Sequence, residues 1–592
     1  MEIRTFSFDL AGKAEQERLE RGVNWPVVYF LYNANTLYIG ESTSAAQRMG
    51  DHLNDPRKRR AHLTNMKVIF DDEFNKSVIL DYEQKLIKYC KADDRFTTVL
   101  NANDGQSDAH DYYQRPYYAQ HFHYIWQELI NQGMANKELD VIENENIFKY
   151  SPYTALTPEQ MEVQVRILND IVDVLDNNRH GVSLVNGCAG TGKTVLAISI
   201  INSLVNAINI DESTLSQEDK EKSINKARLR VKWYVQHVRP IRIGFVFPMS
   251  GIRSVISDVF REAGNGLRRN MVITPYKVTN QEYDILFVDE SHRLARRKNL
   301  GQPSLYNLFD RNCEMFGLDP QTSNQLDWIL RSSKYSVLFY DKDQSIKSTD
   351  ITYNDYQNSL EPYRSELKEL ELKTQMRCAG GNAYIDYVKD IMNCRNPDFK
   401  DAVNYDFKIY RNVDNMVQKI RELDYAFIEA DNDNNLCKVV AGYSWDWATK
   451  PAENNVPDDL NTYNEIVESG AYDIEMQGYP YIWNLTTEKW IPRHDSHYTI
   501  GCIHTTQGFD LNYVGVIFGK EIDYNPETNE IEIDLTKFKD TKVKSGCDEA
   551  TVKEYIINTY TTILARGVRG CYVCAYNHNM QEYLERFIRR GD

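Results

Sequence analysis

The stretch that decides the fold is Gly187-Cys-Ala-Gly-Thr-Gly-Lys193-Thr194, in which three glycines precede a lysine and a threonine. The apolar run 182–186 comes before it, and 195–205 follows with a helical pattern. In this strand–loop–helix setting, glycines let the backbone wrap around phosphates at a helix N-terminus. We therefore expect an α/β fold in which Lys193 reaches the β- and γ-phosphates of ATP and Thr194 holds Mg²⁺. The loop glycines expected to contact the phosphates are Gly187, Gly190 and Gly192.

A second motif, Asp284-Ile-Leu-Phe-Val-Asp289-Glu290, ends an apolar run in two carboxylates. In open α/β sheets, ligands bind at the carboxyl ends of the strands, so these acids are predicted at the same edge as the phosphate loop. Asp289 would hold Mg²⁺ through water, and Glu290 would orient or deprotonate the attacking water. Together the two motifs predict ATP hydrolysis.

From residue 152 onward, apolar runs alternate with amphipathic segments, which predicts parallel α/β sheets. The predicted buried strands are 182–186, 243–248, 285–289, 336–340, 438–442, 514–519 and 571–576. The predicted domains are an N-terminal domain at 1–102, a connector at 103–150, a first lobe at 151–360 and a second lobe at 361–592. The polar segments 211–223 and 523–549 are predicted insertions.

Five further motifs occur in order across this region. They are Leu156-Thr-Pro-Glu-Gln160, Phe339-Tyr-Asp-Lys-Asp-Gln344, Leu372-Lys-Thr-Gln-Met-Arg377-Cys, Ile503-His-Thr-Thr-Gln-Gly508-Phe-Asp and Thr562-Ile-Leu-Ala-Arg566-Gly. Together with the phosphate loop and the motif that ends in Asp289-Glu290, they resemble superfamily 1 helicases across residues 147–592. More narrowly, they resemble prokaryotic ATPases related to the helicase region of Schlafen proteins. The resemblance implies two RecA-like lobes with ATP bound between them.

The same resemblance implies a role for each motif. Gln160 would read adenine, Gln344 would sense the γ-phosphate, and Gly508 would belong to the nucleotide-responsive motif V. Arg377 and Arg566 would be second-lobe arginines that neutralise transition-state charge, a contribution of roughly 10³–10⁵ in rate in related enzymes. An arginine that arrives from the opposite lobe would couple hydrolysis to lobe closure and to movement of a nucleic-acid strand. Tyr276 is a candidate stacking platform for that strand or, alternatively, a core residue.

Residues 1–102 carry a separate group of reactive side chains. Val27-Val-Tyr29 and Tyr38-Ile-Gly40 flank the turn Asn33-Ala-Asn35, a pattern typical of a β-hairpin. Arg48 and His52 are four residues apart in the predicted helix 45–52, so they share one face.

In the predicted helix 78–91, Glu83 falls on the apolar stripe. A lone carboxylate on a buried face is costly unless it is paired or metal-bound. The cation candidates are Arg48 and a divalent metal. Glu83 is therefore the residue that most directly indicates a site in this domain.

This N-terminal pattern resembles the GIY-YIG nucleases across residues 24–102, although Val27 replaces the first glycine of the family motif. The resemblance implies that Tyr29 helps activate water and that Tyr38 positions groups around it. It also implies that Arg48 binds the scissile phosphate, that Glu83 holds one metal ion and that His52 is a catalytic residue. Asn101 matches the asparagine near the end of the family domain. The alternative is a decayed nuclease fold that is kept for docking.

The net charge of −17 argues against nucleic-acid binding by the chain as a whole, but local patches decide such binding. Three basic clusters are candidates for phosphate contacts. They are Arg57–Arg60, then Lys226, Arg228, Arg230 and Lys232, and then Arg293, Arg296, Arg297 and Lys298.

The ten cysteines are scattered, which suits a reducing cytoplasm. Cys571 and Cys574 form one Cys-x-x-Cys in a predicted buried strand, with no second pair for zinc. We find no apolar run that resembles a signal peptide, and none of about 18 residues that would span a membrane.

The resulting hypothesis is a cytoplasmic ATP-dependent nuclease–helicase that acts on nucleic acid, with DNA favoured over RNA. Its expected cofactors are ATP and Mg²⁺, with Mn²⁺ as an alternative at the nuclease site. A prokaryotic antiviral role is the biological hypothesis, and a repair factor is one alternative. The other alternative is an ATP-gated nucleic-acid sensor without processive unwinding.

Overall fold

The computed structural model shows a chain of 592 residues that divides into two compact units, Met1–Pro158 and Glu159–Asp592. It describes the chain except for residues 102–112, 140–141, 143–149, 151–153, 155, 211, 213–219, 265, 342–348, 376–377, 399–404, 430–435, 451–459, 487–489, 492, 507–510 and 545–547. Three predicted site residues, Gln344, Arg377 and Gly508, lie outside the described residues.

The first unit contains a five-stranded sheet in the order β1-β4-β2-β3-β5. Its strands are β1 Glu2–Ser7, β2 Val27–Tyr32, β3 Thr36–Ser42, β4 Asn65–Phe70 and β5 Thr98–Val99. β2 and β3 form the predicted antiparallel hairpin. Asn33 makes the turn, because its side-chain oxygen accepts hydrogen bonds from the backbone N–H groups of Asn35 and Thr36.

The helices of this unit are α1 Leu10–Glu17, α2 Glu20–Val23, α3 Ala45–Asn54, α4 Pro56–Arg60, α5 Lys76–Ala92 and α6 Arg115–Asn131. Side-chain caps fix where two of them begin. Ser44 accepts from the N–H of Gln47 ahead of α3, and Asn75 accepts from the N–H of Val78 ahead of α5. The two helices predicted here are thus confirmed, with slightly longer bounds.

Part of the segment predicted as a connector, 103–150, belongs to the first unit instead. Within it, α6 buries Phe122, Trp126 and Leu129 in the same core as the apolar side of α5. The Trp126 indole also donates to the carbonyl of Lys137 at 2.9 Å. An amphipathic helix needs a surface to cover its apolar side, and α5 provides it. The unit therefore extends past the predicted boundary at residue 102.

The second unit begins with a six-stranded parallel sheet in the order β11-β6-β10-β9-β7-β8. Its strands are β6 Gly181–Gly187, β7 Ile243–Val246, β8 Val272–Ile273, β9 Tyr283–Val288, β10 Ser333–Tyr340 and β11 Leu367–Leu372. Its helices are α7 Pro158–Asp176, α8 Lys193–Val205, α9 Ser223–His237, α10 Ser250–Ala263, α11 Pro303–Met315, α12 Gln325–Ser332 and α13 Tyr353–Leu360. Parallel strands covered on both faces are mostly apolar, as β7 and β9 are, whereas the edge strand β11 alternates leucine with charged residues.

A second parallel sheet follows, in the order β13-β16-β19-β12-β20. Its strands are β12 Asp406–Ile409, β13 Cys437–Ala441, β16 Leu511–Phe518, β19 Gly567–Ala575 and β20 Arg589–Arg590, and two hairpins pair β14 Ile474–Met476 with β15 Tyr479–Tyr481 and β17 Ile522–Asn525 with β18 Glu530–Ile533. The helices are α14 Gly381–Met392, α15 Val413–Glu429, α16 Leu460–Glu468, α17 Ile503–Thr506, α18 Thr541–Lys544, α19 Glu549–Leu564 and α20 His578–Leu584.

Two boundaries differ from the sequence predictions. β11 pairs in parallel with β6, so the first lobe continues past the predicted end at residue 360. The segment 523–549, predicted as a polar insertion, instead buries Tyr524, Ile533 and Phe538 in the core of the second lobe. Its apolar residues are spaced two apart within short strands, which lowers the average hydropathy and hides their burial.

Cys571 and Cys574 lie fully buried in β19, in the strand predicted for them. The cysteines within the described ranges are free thiols. In the part of the chain that the structure describes, we find no helix with the length and apolar character needed to cross a bilayer.

Candidate functional site

The phosphate loop lies between the end of β6 at Gly187 and the start of α8 at Lys193. Gly190 and Gly192 have φ angles of +82° and +76°, conformations that glycine adopts without a steric penalty. A Cβ at Gly187 would come within 2.6 Å of the Thr191 hydroxyl. The predicted strand–loop–helix arrangement is therefore present, and the N-terminus of α8 follows the loop directly.

Lys193, Thr194 and Asp289 meet at the carboxyl edge of the first sheet. The Thr194 hydroxyl donates to Asp289 Oδ2 at 2.6 Å. The Lys193 ammonium donates to the Gly187 carbonyl at 2.5 Å and the Cys188 carbonyl at 3.0 Å. A hydroxyl and a carboxylate in contact are oxygen ligands of the kind that Mg²⁺ prefers. The residues present therefore fit a magnesium ion bound with a nucleotide.

Asp341 is a site residue that sequence reasoning missed. It follows β10 as Asp289 follows β9, and its Oδ2 accepts from Lys193 Nζ at 3.2 Å. The signal was available, since an apolar run ends in an acid in both cases. The motif was read only for Gln344, which lies outside the described residues.

The two adjacent acids of the second motif are electrostatically different. Burial, together with the neighbouring Glu290, raises the pKa of Asp289 to about 7. Burial acts in the same direction on Glu290, but His292 and Lys193 outweigh it and hold the Glu290 pKa below its usual range. Environments that separate two neighbouring carboxylates in this way assign them different roles. Glu290 is the ionised member, as a general base requires.

A hydrogen bond at one ring nitrogen of His292 determines that the other nitrogen, which faces Glu290, carries the proton. The backbone N–H of Asp341 donates to His292 Nδ1 at 3.2 Å, which leaves the ring proton on Nε2. That Nε2 lies 3.0 Å from Glu290 Oε2, and this contact helps to lower the Glu290 pKa. Glu290 itself has a φ of +51°, a strained conformation for a residue with a side chain. Strain at this position indicates a functional constraint.

Gln160, the predicted adenine reader, is buried beside the phosphate loop. Its side chain is only 1% exposed, and Nε2 donates to the carbonyl of Thr191 at 2.9 Å. The amide thus holds the backbone of the phosphate loop. The role of Gln160 in reading adenine stays a prediction.

Arg566 and Tyr276 are also placed by the structure. Arg566 is buried between the end of α19 and the start of β19, in the second lobe. Tyr276 is half-buried, and its ring packs 5.8 Å from that of Trp328, centroid to centroid. Burial raises the pKa of Tyr276 to about 12. This packing favours the core alternative for Tyr276 over a stacking platform.

In the first unit, the predicted tyrosine, histidine and arginine form one hydrogen-bonded cluster. The Tyr29 hydroxyl lies 2.7 Å from His52 Nε2, and Arg48 Nε donates to the same hydroxyl at 3.3 Å. Gly40 pairs with Tyr29 across the hairpin, and a Cβ there would collide with the Tyr29 hydroxyl. The glycine of the second triplet is thus required for Tyr29 to reach His52.

Burial and neighbouring charges determine which group donates and which accepts each hydrogen bond in this cluster. Burial, with Lys58 and Arg48 nearby, lowers the pKa of His52 to about 3, so the imidazole is neutral. Burial also raises the pKa of Tyr29 well above its usual range. Arg48 can only donate, so the Tyr29 hydroxyl accepts from Arg48 and donates to His52.

Lys58 belongs to this cluster rather than to a surface patch. It is 8% exposed, and its Nζ lies 2.6 Å from the centroid of the Tyr38 ring. The Tyr38 ring in turn lies 5.2 Å from that of His52. Lys58 is therefore not part of an exposed basic patch, and the grip of residues 57–60 on flanking phosphates stays a prediction. A run of four basic residues gave no signal that one of them turns inward.

Glu83 is half-buried on α5, at the edge of the apolar stripe. Burial, together with the nearby Glu41, raises its pKa to about 7, against the opposing effect of Lys76 and Arg48. Lys76 is already paired with Glu41 at 2.5 Å. Among the described residues, no basic side chain lies within 4.0 Å of the Glu83 carboxylate, so the alternative Glu83–Arg48 ion pair is not formed.

The acids at this position are Glu83 and the neighbouring Glu41. Across the described ranges, no three His, Cys, Asp or Glu side chains converge into a ready-made cation site. Mg²⁺ keeps several of its waters and is often bound through one or two carboxylates. A carboxylate without a cation partner fits such an ion. Asn101 has a structural place against β3, because its amide donates to the carbonyl of Ile39 and accepts from the N–H of Ile39.

Six of the eight basic side chains in the second and third clusters are paired with acids of the second unit. Arg230 pairs with Asp173 at 2.6 Å, Lys232 with Glu212 at 2.8 Å and Arg297 with Asp310 at 2.5 Å. Lys226, Arg293 and Arg296 likewise have Glu221, Asp350 and Asp355 as partners. Their predicted role in phosphate binding is therefore not supported by these contacts.

Arg230→Ala and Arg297→Ala are each expected to change nucleic-acid affinity by less than about threefold, with the salt dependence unchanged. Both guanidinium groups are already neutralised by a carboxylate, so their loss removes no phosphate contact. Fluorescence anisotropy with a labelled oligonucleotide at several salt concentrations measures both quantities. A loss of about tenfold, with a shallower salt slope, would assign these residues to the binding surface.

Comparison with known proteins shows that the second unit is similar to helicase domains. Residues 180–577, about two thirds of the chain, match the family model described as Schlafen group 3, DNA/RNA helicase domain. A relative from Saccharomyces cerevisiae (strain ATCC 204508 / S288c), "Uncharacterized protein YPL245W", is 26% identical over 484 residues, which cover 75% of this chain and 94% of the relative.

Two solved helicase structures also match this chain. The Pif1 helicase from Candida albicans matches with a TM-score of 0.28 and 11% identity, covering 73% of this chain and 99% of that one. The Bacteroides Pif1 helicase in complex with ADP-AlF3 and ssDNA matches with a TM-score of 0.26 and 12% identity, covering 72% and 94%. The family match spans both parallel sheets. This chain therefore belongs to the Schlafen group 3 DNA/RNA helicase domain family.

Proposed function

We propose that the second unit is an ATP-driven motor that translocates on nucleic acid, with DNA as the favoured substrate. The observation that carries the proposal is the contact of Thr194 with Asp289 beside Lys193, at the carboxyl edge of a parallel sheet. The Bacteroides Pif1 helicase, which this chain matches, is in complex with ADP-AlF3 and ssDNA, the classes of ligand proposed here. Hydrolysis would supply the free energy for strand movement.

The residues divide the chemistry of hydrolysis between them. Lys193 would release the Gly187 and Cys188 carbonyls and turn to the β- and γ-phosphates. Thr194 and Asp289 would hold Mg²⁺, which would neutralise charge on the phosphate oxygens when bound. Glu290, kept ionised by His292 and Lys193, would accept a proton from the attacking water. His292 would then steady the protonated Glu290 side chain.

Strand separation is the direct test of the motor proposal. Tailed DNA and RNA duplexes with 3′ or 5′ overhangs are incubated with the full chain and ATP, and release of the labelled strand is measured. ATP-dependent release from at least one duplex is expected. Absence of release on every substrate, with ATP still consumed, would favour the ATP-gated sensor over the motor.

Arg566→Ala and Arg377→Ala are each expected to reduce ATP turnover by roughly 10³-fold while nucleotide affinity changes little. Both arginines are proposed to act on the charge that develops in the transition state, and not on the bound nucleotide. Turnover is followed by phosphate release, and affinity by titration with a fluorescent ADP. Parallel losses of affinity and turnover would count against the transition-state role.

We further propose that the first unit is a metal-dependent nuclease of the GIY-YIG type. The hydrogen-bonded series Arg48, Tyr29 and His52, beside the unpaired carboxylate of Glu83, favours this function. Water would donate a hydrogen bond to the Tyr29 oxygen, which orients it for attack on phosphorus, and its proton would pass to bulk water as the bond from phosphorus to the leaving oxygen breaks. Arg48 would stabilise the negative charge on the phosphate oxygens.

A metal ion held by Glu83 would stabilise the leaving oxygen in this scheme. The experiment is cleavage of single- and double-stranded DNA and RNA by the full chain, with and without ATP. Products are expected in Mg²⁺ or Mn²⁺ and not in EDTA. An inert wild-type protein on all substrates would instead support the docking alternative for this unit.

A further inference from the structure

The segment that joins the two lobes is anchored from both sides. β11 ends at Leu372 and α14 begins at Gly381, and residues 376 and 377 between them lie outside the described residues. On the first-lobe side, the Glu159 carboxylate accepts from the backbone N–H of Lys373 at 2.9 Å and of Thr374 at 3.2 Å. Glu159 lies in the first turn of α7, next to Gln160. One carboxylate therefore fixes two consecutive peptide groups of the linker.

On the second-lobe side, Asn382 of α14 holds the same segment. Its Oδ1 accepts from the N–H of Gln375 at 3.0 Å, and its Nδ2 donates to the carbonyl of Lys373 at 2.8 Å. The helix α14 contributes Tyr384 and Val388 to the core of the second lobe. The backbone of the linker is thus tied to both lobes at once.

The linker also contacts the phosphate loop. Gln375 Nε2 donates to the carbonyl of Ala189 at 2.5 Å. A Cβ at Gly190 would overlap the carboxamide of Gln375, so this contact needs a glycine at the crest of the loop. Lys389 of α14 lies 3.9 Å from the Cys188 sulfur. The second lobe and its linker therefore meet the loop at consecutive positions.

Glu159 and Gln160 complete one connected network. Gln160 donates to the Thr191 carbonyl of the phosphate loop, while Glu159 holds the linker that places Gln375 on Ala189. Neighbouring residues at the start of α7 thus bind the loop and the linker respectively. These contacts connect the conformation of the phosphate loop to the position of the linker.

We propose that Glu159 and Gln375 are positioning residues for ATP hydrolysis, which seat the interlobe linker on the phosphate loop. This proposal rests on the proposed ATPase. Arg377, the proposed transition-state arginine, follows Gln375 by two residues in the sequence. Holding residues 373–375 in place therefore fixes the position from which the chain leads into Arg377. Displacing a reacting group by about 1 Å can cost about 10²-fold in rate, so such anchoring matters for turnover more than for binding.

Glu159→Gln is the sharpest variant, because it preserves size and removes one acceptor. A carboxylate has two oxygens that accept, whereas an amide has one and presents an NH₂ group that donates. With two backbone N–H groups to satisfy, the amide sets a donor against a donor. The matched control is Glu162→Gln on the same helix, where the carboxylate is exposed and paired with Arg166.

In the full chain, Glu159→Gln is expected to lower kcat for ATP by about tenfold or more. The KM for ATP and the affinity for fluorescent ADP should stay within about threefold, with an unchanged melting temperature. Gln375→Ala should behave in the same way, and Glu162→Gln should match the wild type. This division between kcat and binding is not expected from residues that only support the fold.

Wild-type kcat in both Glu159→Gln and Gln375→Ala would overturn the proposal, as would a loss of nucleotide affinity that equals the loss of kcat. A lowered melting temperature that accounts for the lost activity in both variants would also overturn it. The ATPase proposal fails separately, when the wild-type chain does not hydrolyse ATP or Lys193→Ala still does. The two failures are therefore distinguishable in one set of assays.

Discussion

Lys193→Ala is expected to abolish ATP hydrolysis, with a loss of at least about 10²-fold, and Glu290→Gln is expected to trap bound ATP. The Lys193 ammonium is the cation nearest the loop carbonyls of Gly187 and Cys188, and no other residue of the loop carries a charge. Glu290→Gln removes the proton acceptor and leaves Thr194 and Asp289 in place. Phosphate release and retention of labelled ATP on the protein measure the two effects.

The control for the lysine is Lys334→Ala, an exposed lysine of β10 whose Nζ contacts Asn178. It should hydrolyse ATP at the wild-type rate. Wild-type turnover by Lys193→Ala would contradict the assignment of the phosphate loop. Rapid release of labelled nucleotide from Glu290→Gln would contradict the role of Glu290 as the base.

Glu83→Ala is expected to remove nucleic-acid cleavage in Mg²⁺ while leaving ATP hydrolysis intact. The Glu83 carboxylate is the proposed metal ligand, and it belongs to the unit Met1–Pro158, whereas Lys193 and Asp289 belong to the other unit. Tyr29→Phe should also suppress cleavage, since it removes the hydroxyl between Arg48 and His52 but keeps the buried ring. Cleavage of labelled substrates and phosphate release by the same preparations give both readouts.

The control for Glu83 is Glu128→Ala, on an exposed position of α6 where the carboxylate accepts from the Gln132 amide. Cleavage by Glu83→Ala at the wild-type rate would refute the metal-ligand role. If Glu83→Ala instead lowered the melting temperature and the wild-type chain cut nothing in any divalent ion, the structural role would replace the catalytic one.

Seven buried strands and the hairpin that carries Tyr29 could be predicted from local patterns in the sequence. All seven predicted buried strands are present, because parallel strands covered on both faces are short continuous apolar runs. The phosphate loop was predictable for the same reason, since its glycines and Lys193 are contiguous. In the first unit, the hairpin, the helix of Arg48 and the helix of Glu83 were likewise set by local spacing.

Contacts between distant segments were not predictable in this way. The segment 103–150 is predicted as a connector, because nothing local shows that α5 covers the apolar side of α6. The contact of Gln160 with Thr191 spans 31 residues, so no local pattern predicts it. Lys58 lies in a run of basic residues, and only the folded structure shows that its ammonium packs on the Tyr38 ring. The acids that pair with Arg230 and Arg297 are also remote in sequence or on another helix.

The most direct test of the central claim is the number of ATP molecules hydrolysed per base pair opened, measured on a tailed duplex with the full chain. A motor that couples Lys193, Glu290 and the interlobe linker to strand movement predicts a fixed ratio that holds as the duplex is lengthened. It also predicts no opening by Lys193→Ala. Hydrolysis stimulated by nucleic acid, with no base pairs opened at any duplex length, would contradict the motor and leave an ATP-gated sensor.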